Sequence, residues 1–243
     1  MEKEIAVSGS QIKNISLILP CYNPPEGWEK TVVSAVVSIS RMLNVQIELI
    51  IVNDGSERGW TEESVNYIRK SREAFVPVIC TENKGKGYAL RKGVEVASQN
   101  KIIYTDIDFP YTEESMIRVF NGLRKNHDVV LGHRGKNYYV NTPWFRKVVS
   151  KFLRWTLKTF LRLPTDDSQC GLKGFNKKGA AVFLDTRINR FLFDMEFIKL
   201  ASKRKLDIAK VEVDLKPNIV FSKVHLGILF REAFNFLRVL FRR

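Results

Sequence analysis

Hydrophobic positions in the first half of the chain form short continuous runs, separated by stretches in which they recur every three to four residues. Ile15 to Leu19 is one run, ended by Pro20, and Ile47 to Val52 is a second, ended by Asn53-Asp54-Gly55-Ser56. Phe75 to Cys80 is a weaker third, in which Pro77 removes a ladder donor and points to an edge position. Ile102 to Thr105 and Val129-Val130-Leu131 complete the set of predicted strands. Helical periodicity covers Trp28 to Leu43, Thr61 to Arg72 and Gly87 to Ala97. Strand, turn, helix, strand is the signature of βαβ units, so the pattern predicts an α/β fold with a mainly parallel central sheet flanked by helices. No internal repeat or low-complexity linker interrupts it, which favours a single domain.

The second half reads differently. A polar loop from Gly132 to Thr142 leads to Pro143, which opens a helical stretch to Leu163. There Lys147, Lys151, Arg154 and Lys158 form a basic stripe beside Phe145, Val148, Phe152 and Trp155. A last helical pattern runs from Leu226 to Arg243, with Arg231, Asn235, Arg238 and Arg242 on one face and phenylalanines and leucines over much of the rest. The expected division is a main domain over residues 1–215 and a basic amphipathic segment over 216–243 that meets a membrane surface.

Charge sharpens that expectation. Forty Lys and Arg against 26 Asp and Glu give a net charge of +14, which favours an anionic partner: nucleic acid, anionic lipid or a phosphorylated substrate. No RNA-binding signature or zinc-finger spacing is present, so nucleic acid is not the expected partner. No stretch approaches the roughly 20 uninterrupted apolar residues of a membrane span, and the charged start Met1-Glu2-Lys3-Glu4 lacks the apolar core of a secretory signal. Cys21, Cys80 and Cys170 are odd in number and have no metal-ligand spacing, as expected of a reducing compartment. The expected location is the cytoplasmic side, peripheral to the membrane.

Candidate chemistry gathers at the ends of the predicted strands. Asp106 and Asp108 follow the run Ile102-Ile103-Tyr104; two residues apart on a strand, they would project to one face. Hard divalent cations take oxygen ligands and often keep substrate phosphates in their shell, a task that such a pair suits. Pro20-Cys21-Tyr22-Asn23 and Asn53-Asp54-Gly55-Ser56 would open at the same edge, where Asp54 is able to accept hydrogen bonds from a base or ribose. Asn83-Lys84-Gly85-Lys86-Gly87 precedes a helix and offers amides and cations suited to a diphosphate.

Taken in order, these motifs resemble the GT-A family 2 glycosyltransferases, from about Ile15 to Lys223. The resemblance implies a nucleotide-sugar transferase fold and an inverting transfer. It implies a nucleotide-sugar pocket built from Pro20, Tyr22, Asn23, Asp54, Gly55, Ser56, Lys86, Gly87 and Asp106, and a divalent cation (Mg or Mn) on Asp106 and Asp108. The segment Asp167-Ser168-Gln169-Cys170-Gly171-Leu172-Lys173 is similar to a loop of the dolichyl- and polyprenyl-phosphate hexosyltransferases, the glucosyl branch above all. Leu131-Gly132-His133-Arg134, Phe193-Asp194-Met195-Glu196 and Ser222-Lys223 resemble further motifs of that group. Two departures stand out: Pro24-Pro25 replaces the Glu that many relatives carry after Pro-x-Tyr-Asn, and Asn53 stands where closer relatives often have Asp.

The resemblance implies UDP-glucose or GDP-mannose as the type of donor and a lipid phosphate as acceptor; a saccharide hydroxyl is the alternative acceptor. A phosphomonoester is largely dianionic above its second pKa of about 6, and needs cations to hold it more than a base to activate it. Arg134, Lys173 and Lys223, with Gln169 and Ser222 beside them, are the expected acceptor contacts. Asp108, Arg134, Asp194 and Glu196 are the expected catalytic set, the last two orienting sugar hydroxyls or serving as base for a sugar acceptor.

Overall fold

The computed structural model describes residues 14–135, 163–165, 167–190 and 192–217. Six helices and seven strands follow one another along them, alternating as far as β5: β1 (Asn14–Cys21), α1 (Trp28–Leu43), β2 (Gln46–Asp54), α2 (Glu62–Ser71), β3 (Phe75–Cys80), α3 (Lys86–Val96), β4 (Lys101–Tyr104), α4 (Glu113–Arg124), β5 (Val129–Arg134), β6 (Lys173–Asn176), α5 (Lys177–Leu184), α6 (Phe193–Lys203) and β7 (Ile208–Val213). The predicted helices at 143–163 and 226–243, with their basic faces, lie outside the described residues, as do Ser222 and Lys223.

The strands form one sheet in the order β3-β2-β1-β4-β6-β5-β7. All run parallel except β6, which inserts antiparallel between β4 and β5. β3 lies at one edge, where Pro77 led us to expect it. Side chains on a strand alternate between faces, and the core divides accordingly. Ile15, Leu17, Leu19, Leu49 and Ile51 face α1 and α4 on one side. Ile18, Ile50, Val52, Ile102 and Tyr104 face α3, α5 and α6 on the other. Both faces of β1 and β2 are thus covered, which is why their sequences read as unbroken apolar runs.

Local chemistry sets the helix boundaries. Thr61 and Ser64 close a reciprocal capping box at the start of α2, and Thr112 accepts from the Ser115 amide at the start of α4. Asn44, in the left-handed region with φ 50°, ends α1. Because β1, β2 and β4 are parallel, their C-terminal ends open on a single edge of the sheet. The loops that carry the candidate chemistry meet there.

Candidate nucleotide and acceptor site

The end of β2 is tied to the loop that precedes α3. Gly55 takes φ +68°, and a Cβ there would lie 2.4 Å from the carbonyl carbon of Glu82, so no other side chain fits the turn. This close approach lets the buried Asp54 carboxylate accept the Lys84 amide at 3.0 Å and the Gly85 amide at 2.8 Å. The carboxylate expected to meet a ribose therefore first fixes the loop beside it. Asn53 folds its side-chain oxygen onto the Ser56 amide at 2.9 Å, a local turn. The Asn23 amide donates to Ser56 Oγ (2.9 Å), while its side-chain oxygen accepts the amides of Glu57 and Arg58. Burial pushes the Cys21 thiol up to about 12 despite a hydrogen bond with Ser56, so it is held as an inert neutral group. Tyr22 leaves its ring 48% exposed at the mouth of the pocket.

Asp106 and Asp108 are close for a different reason than their sequence spacing suggested. β4 stops at Tyr104, and the two aspartates belong to a turn closed by the Phe109 amide on the Asp106 carbonyl at 3.0 Å. A turn brings the carboxylates together where a strand was expected to align them. Burial raises the Asp108 carboxyl, and the neighbouring Asp106 charge raises it further against the opposing pull of Lys86. Asp106 Oδ1 is held by Lys86 Nζ at 2.5 Å. Burial works against the Lys86 charge, but Asp106, Asp194 and Asp108 outweigh it and hold the ammonium above lysine's ordinary value. Gly171 packs on this pair so tightly that a Cβ would fall 2.5 Å from Asp106 Oδ2. Asp54, Lys86 and Asp106 thus meet in one pocket of about 320 Å³, lined also by Pro20, Tyr22, Asn83, Gly85 and Arg190.

Several expected contacts are corrected by burial. Lys173 is fully buried: its ammonium donates to Asp194 Oδ1 at 2.7 Å and to the Cys170 carbonyl, so it is not free to reach an acceptor phosphate. Asp194, 4% exposed, also accepts the hydroxyl of Tyr104, so it braces the floor of the site and is not placed to meet a sugar. Glu196, 2% exposed, turns to the backbone: one carboxylate oxygen accepts the Arg187 and Ile188 amides at 2.8 Å each. The amide of Gly87, in the segment expected to bind a diphosphate, is taken by the Asn189 carbonyl at 2.7 Å, which also receives the Tyr88 amide at 3.3 Å. Arg134 forks onto Asp167, with Nε to Oδ2 at 2.8 Å and Nη2 to Oδ1 at 2.5 Å. Burial would raise the Asp167 carboxyl; the guanidinium outweighs it and holds it below the usual carboxylate value. Gln169 is half-buried in the loop between Asp167 and Gly171.

One charged pocket residue escaped the sequence reading. Arg190 stands in the turn before α6, three positions ahead of Phe193; its signal was a lone cation just upstream of a motif already singled out.

Comparison with known proteins bears on the family and the fold. The chain is 26% identical over 223 residues to the glycosyltransferase AglD of Haloferax volcanii, covering 89% of this chain and 35% of that protein. It is 26% identical over 214 residues to the dolichyl-phosphate beta-glucosyltransferase of Drosophila melanogaster, covering 82% of this chain and 66% of that one. The chain thus spans between about a third and two thirds of the length of these curated relatives. The crystal structure of glucosyl-3-phosphoglycerate synthase from Mycobacterium tuberculosis in complex with Mg2+ and UDP superposes with a TM-score of 0.59 at 17% identity, over 94% of this chain and 78% of that one. The architecture is the GT-A fold of nucleotide-sugar transferases. The family model for glycosyl transferase family 2 matches residues 16–183, more than half of the sequence, and the chain belongs to that family.

Proposed function

We propose that this protein transfers a hexose, with inversion, from a nucleotide-diphospho-sugar of the UDP-glucose or GDP-mannose type to a polyprenyl or dolichyl phosphate. The observation that carries this reading is the meeting of Asp54, Lys86 and Asp106 in one pocket at the C-terminal edge of the sheet. The Drosophila relative, a dolichyl-phosphate beta-glucosyltransferase, supports the lipid-phosphate acceptor.

Asp106 and Asp108 would hold a divalent cation, Mg or Mn. The donor set fits: the two carboxylates share one turn, the charge of Asp106 raises the Asp108 carboxyl, and Lys86 already marks Asp106 as a place for a cation. Two carboxylates with room for phosphate oxygens are what such a cation takes in diphosphate sites. When bound, it supplies a Lewis acid for the departing diphosphate. The remaining work falls to the protein. Lys86 adds a positive charge beside the leaving group. Asp54 holds the Lys84–Gly85 backbone in place, and Tyr22 offers a ring face to a base. The Lys173–Asp194 pair fixes the Cys170 carbonyl and with it Gly171 against Asp106. A phosphate acceptor arrives already deprotonated, so the burial of Asp194 and Glu196 costs the reaction nothing.

In this proposal Arg134, held by Asp167 at the end of β5, and Gln169 in the loop that follows Asp167 serve the acceptor phosphate. In the same proposal Ser222 and Lys223 also serve the acceptor, and the basic amphipathic stretch from Leu226 to Arg243 engages an anionic membrane surface on the cytoplasmic face. No helix among the described residues is long and apolar enough to cross a membrane.

The test is transfer of labelled sugar from a panel of UDP- and GDP-hexoses to polyprenyl phosphate, with free saccharides as competing acceptors. Label in the lipid phase, abolished by chelator, is the expected result; equal transfer to free sugar, or none to lipid phosphate, overturns the reading.

A further inference from the structure

The turn between α5 and α6 is held more firmly than a surface connection requires. Arg91 on α3 donates to Thr186 Oγ1 at 3.1 Å, to the Ile188 carbonyl at 3.0 Å and to the side-chain oxygen of Asn189. Glu196 on α6 takes the amides of Arg187 and Ile188 from the other side. The Asn189 carbonyl then receives two amides from the first turn of α3. Three anchors fix four consecutive residues, and the next residue in the chain is Arg190.

Those anchors leave Arg190 half-buried against the phosphate-type loop: a Cβ on Gly85 would lie 2.9 Å from its Cγ. Arg190 lines the pocket, yet its guanidinium has no hydrogen bond or ion pair with any described residue. The other charged groups lining that pocket are already engaged. Lys86 pairs with Asp106, and Asp54 takes the Lys84 and Gly85 amides. The start of α3, an anion site in many nucleotide proteins, is closed here by the Asn189 carbonyl. A cation without an anion, presented by an over-determined turn into a pocket whose helix terminus is blocked, lacks only its ligand.

We propose that Arg190 binds the donor's diphosphate, replacing the blocked amides of α3, and that Arg91 and Glu196 are the positioning residues that hold it there. A guanidinium presents paired donors that match phosphate oxygens, and such charge-assisted bonds are strong where water is partly excluded. The inference rests on the donor reading above and adds to it the residue that senses phosphate.

Isothermal titration of the full chain with UDP, UMP and uridine, and with GDP and guanosine in parallel, tests it in Mn2+. Loss of a bond to a charged group weakens binding on the order of tenfold to a hundredfold. Arg190→Gln is expected to lose that much affinity for the diphosphate and almost none for the nucleoside, while Arg190→Lys recovers part of it. An unchanged melting temperature confirms that the variant is folded, as a half-buried side chain without partners predicts. Equal UDP affinity in wild type and Arg190→Gln overturns the inference and leaves the donor reading standing. A parallel loss for nucleoside and diphosphate also overturns it, since the arginine would then shape the pocket without sensing phosphate. Failure of the wild type to bind either diphosphate overturns both.

Discussion

Replacing Lys173 with methionine separates a buried strut from a phosphate-gripping lysine. Methionine keeps the unbranched length but removes the ammonium. Asp194 would then keep the Tyr104 hydroxyl and the more distant charge of Lys86, while the buried Cys170 carbonyl loses its donor. Removing one partner of a buried ion pair costs about 3–5 kcal/mol. The surviving Tyr104 bond places Lys173→Met near the lower bound, about 3 kcal/mol. In a chain of this size, about 2–4 °C of melting temperature goes with each kcal/mol, so the variant should melt roughly 6–12 °C lower. The double variant Lys173→Met/Asp194→Asn removes both charges and keeps an acceptor for Tyr104. It should be more stable than Lys173→Met alone, giving a coupling energy of about 2 kcal/mol in urea unfolding followed by circular dichroism. A loss below about 1 kcal/mol in the single variant, or additive losses in the double, would refute the strut. A stable Lys173→Met that had lost only acceptor affinity would restore the lysine to the role its sequence context suggested.

Three further outcomes follow from the site. Asp106→Asn and Asp108→Asn should each weaken Mn2+ binding measured by electron paramagnetic resonance, and Lys86→Met should strengthen it in the nucleotide-free protein, because the ammonium at 2.5 Å no longer competes for Asp106; unchanged affinity in all three would dismiss the metal assignment. Gly171→Ala should lower Mn2+-dependent nucleotide binding with little change in unfolding midpoint, since its Cβ falls 2.5 Å from Asp106 Oδ2; normal binding would show that the loop yields. The lowered Asp167 carboxyl contributes stability that is complete above the ordinary carboxylate value near 3.8 and lost as pH falls through the depressed native value. Asp167→Asn should therefore flatten the acid limb of the stability profile, and an identical limb would mean that Arg134 holds nothing there.

Sequence pattern reached some elements and missed others for physical reasons. β1 and β2 are buried on both faces, so their runs are unmistakable, and α1 carries a clean apolar stripe that placed its ends at Trp28 and Leu43. α6 is buried along almost its whole length, including Asp194 and Glu196, and so shows no polar face to betray a helix. β7 is a half-exposed edge strand; its alternation of Ala209, Val211 and Val213 with Lys210 and Glu212 is legible, but it spans only a few residues and lacks a continuous apolar run. α4 carried readable signs in Thr112 and the acidic pair Glu113 and Glu114, but they followed a motif that drew the chemical reading. In the site, residue type and order located Asp54, Lys86 and Asp106 at the correct edge. Side-chain commitment was not legible: nothing local tells that Lys173 points inward to Asp194, because that partner lies on a helix packed from the far side of the strand. Arg190 was invisible for the same reason, its position being set by Arg91 and Glu196 on two other elements.

The insertion of β6 between β4 and β5 also governs the order in which this chain is able to complete itself. When a ribosome has released residues only as far as Arg134, β4 is paired along one side, to β1, and β5 has neither of its partners, because β6 and β7 have yet to be made. One bare edge of β4 and both edges of β5 persist through the synthesis of the following segment, the interval in which a nascent chain is most open to chaperones and to wrong pairing. Gly171 and Lys173 arrive on the same few residues that seal that gap. Filling the gap between β4 and β5 and packing Gly171 against Asp106 are therefore one event, and a chain stalled before β6 is expected to carry no competent site.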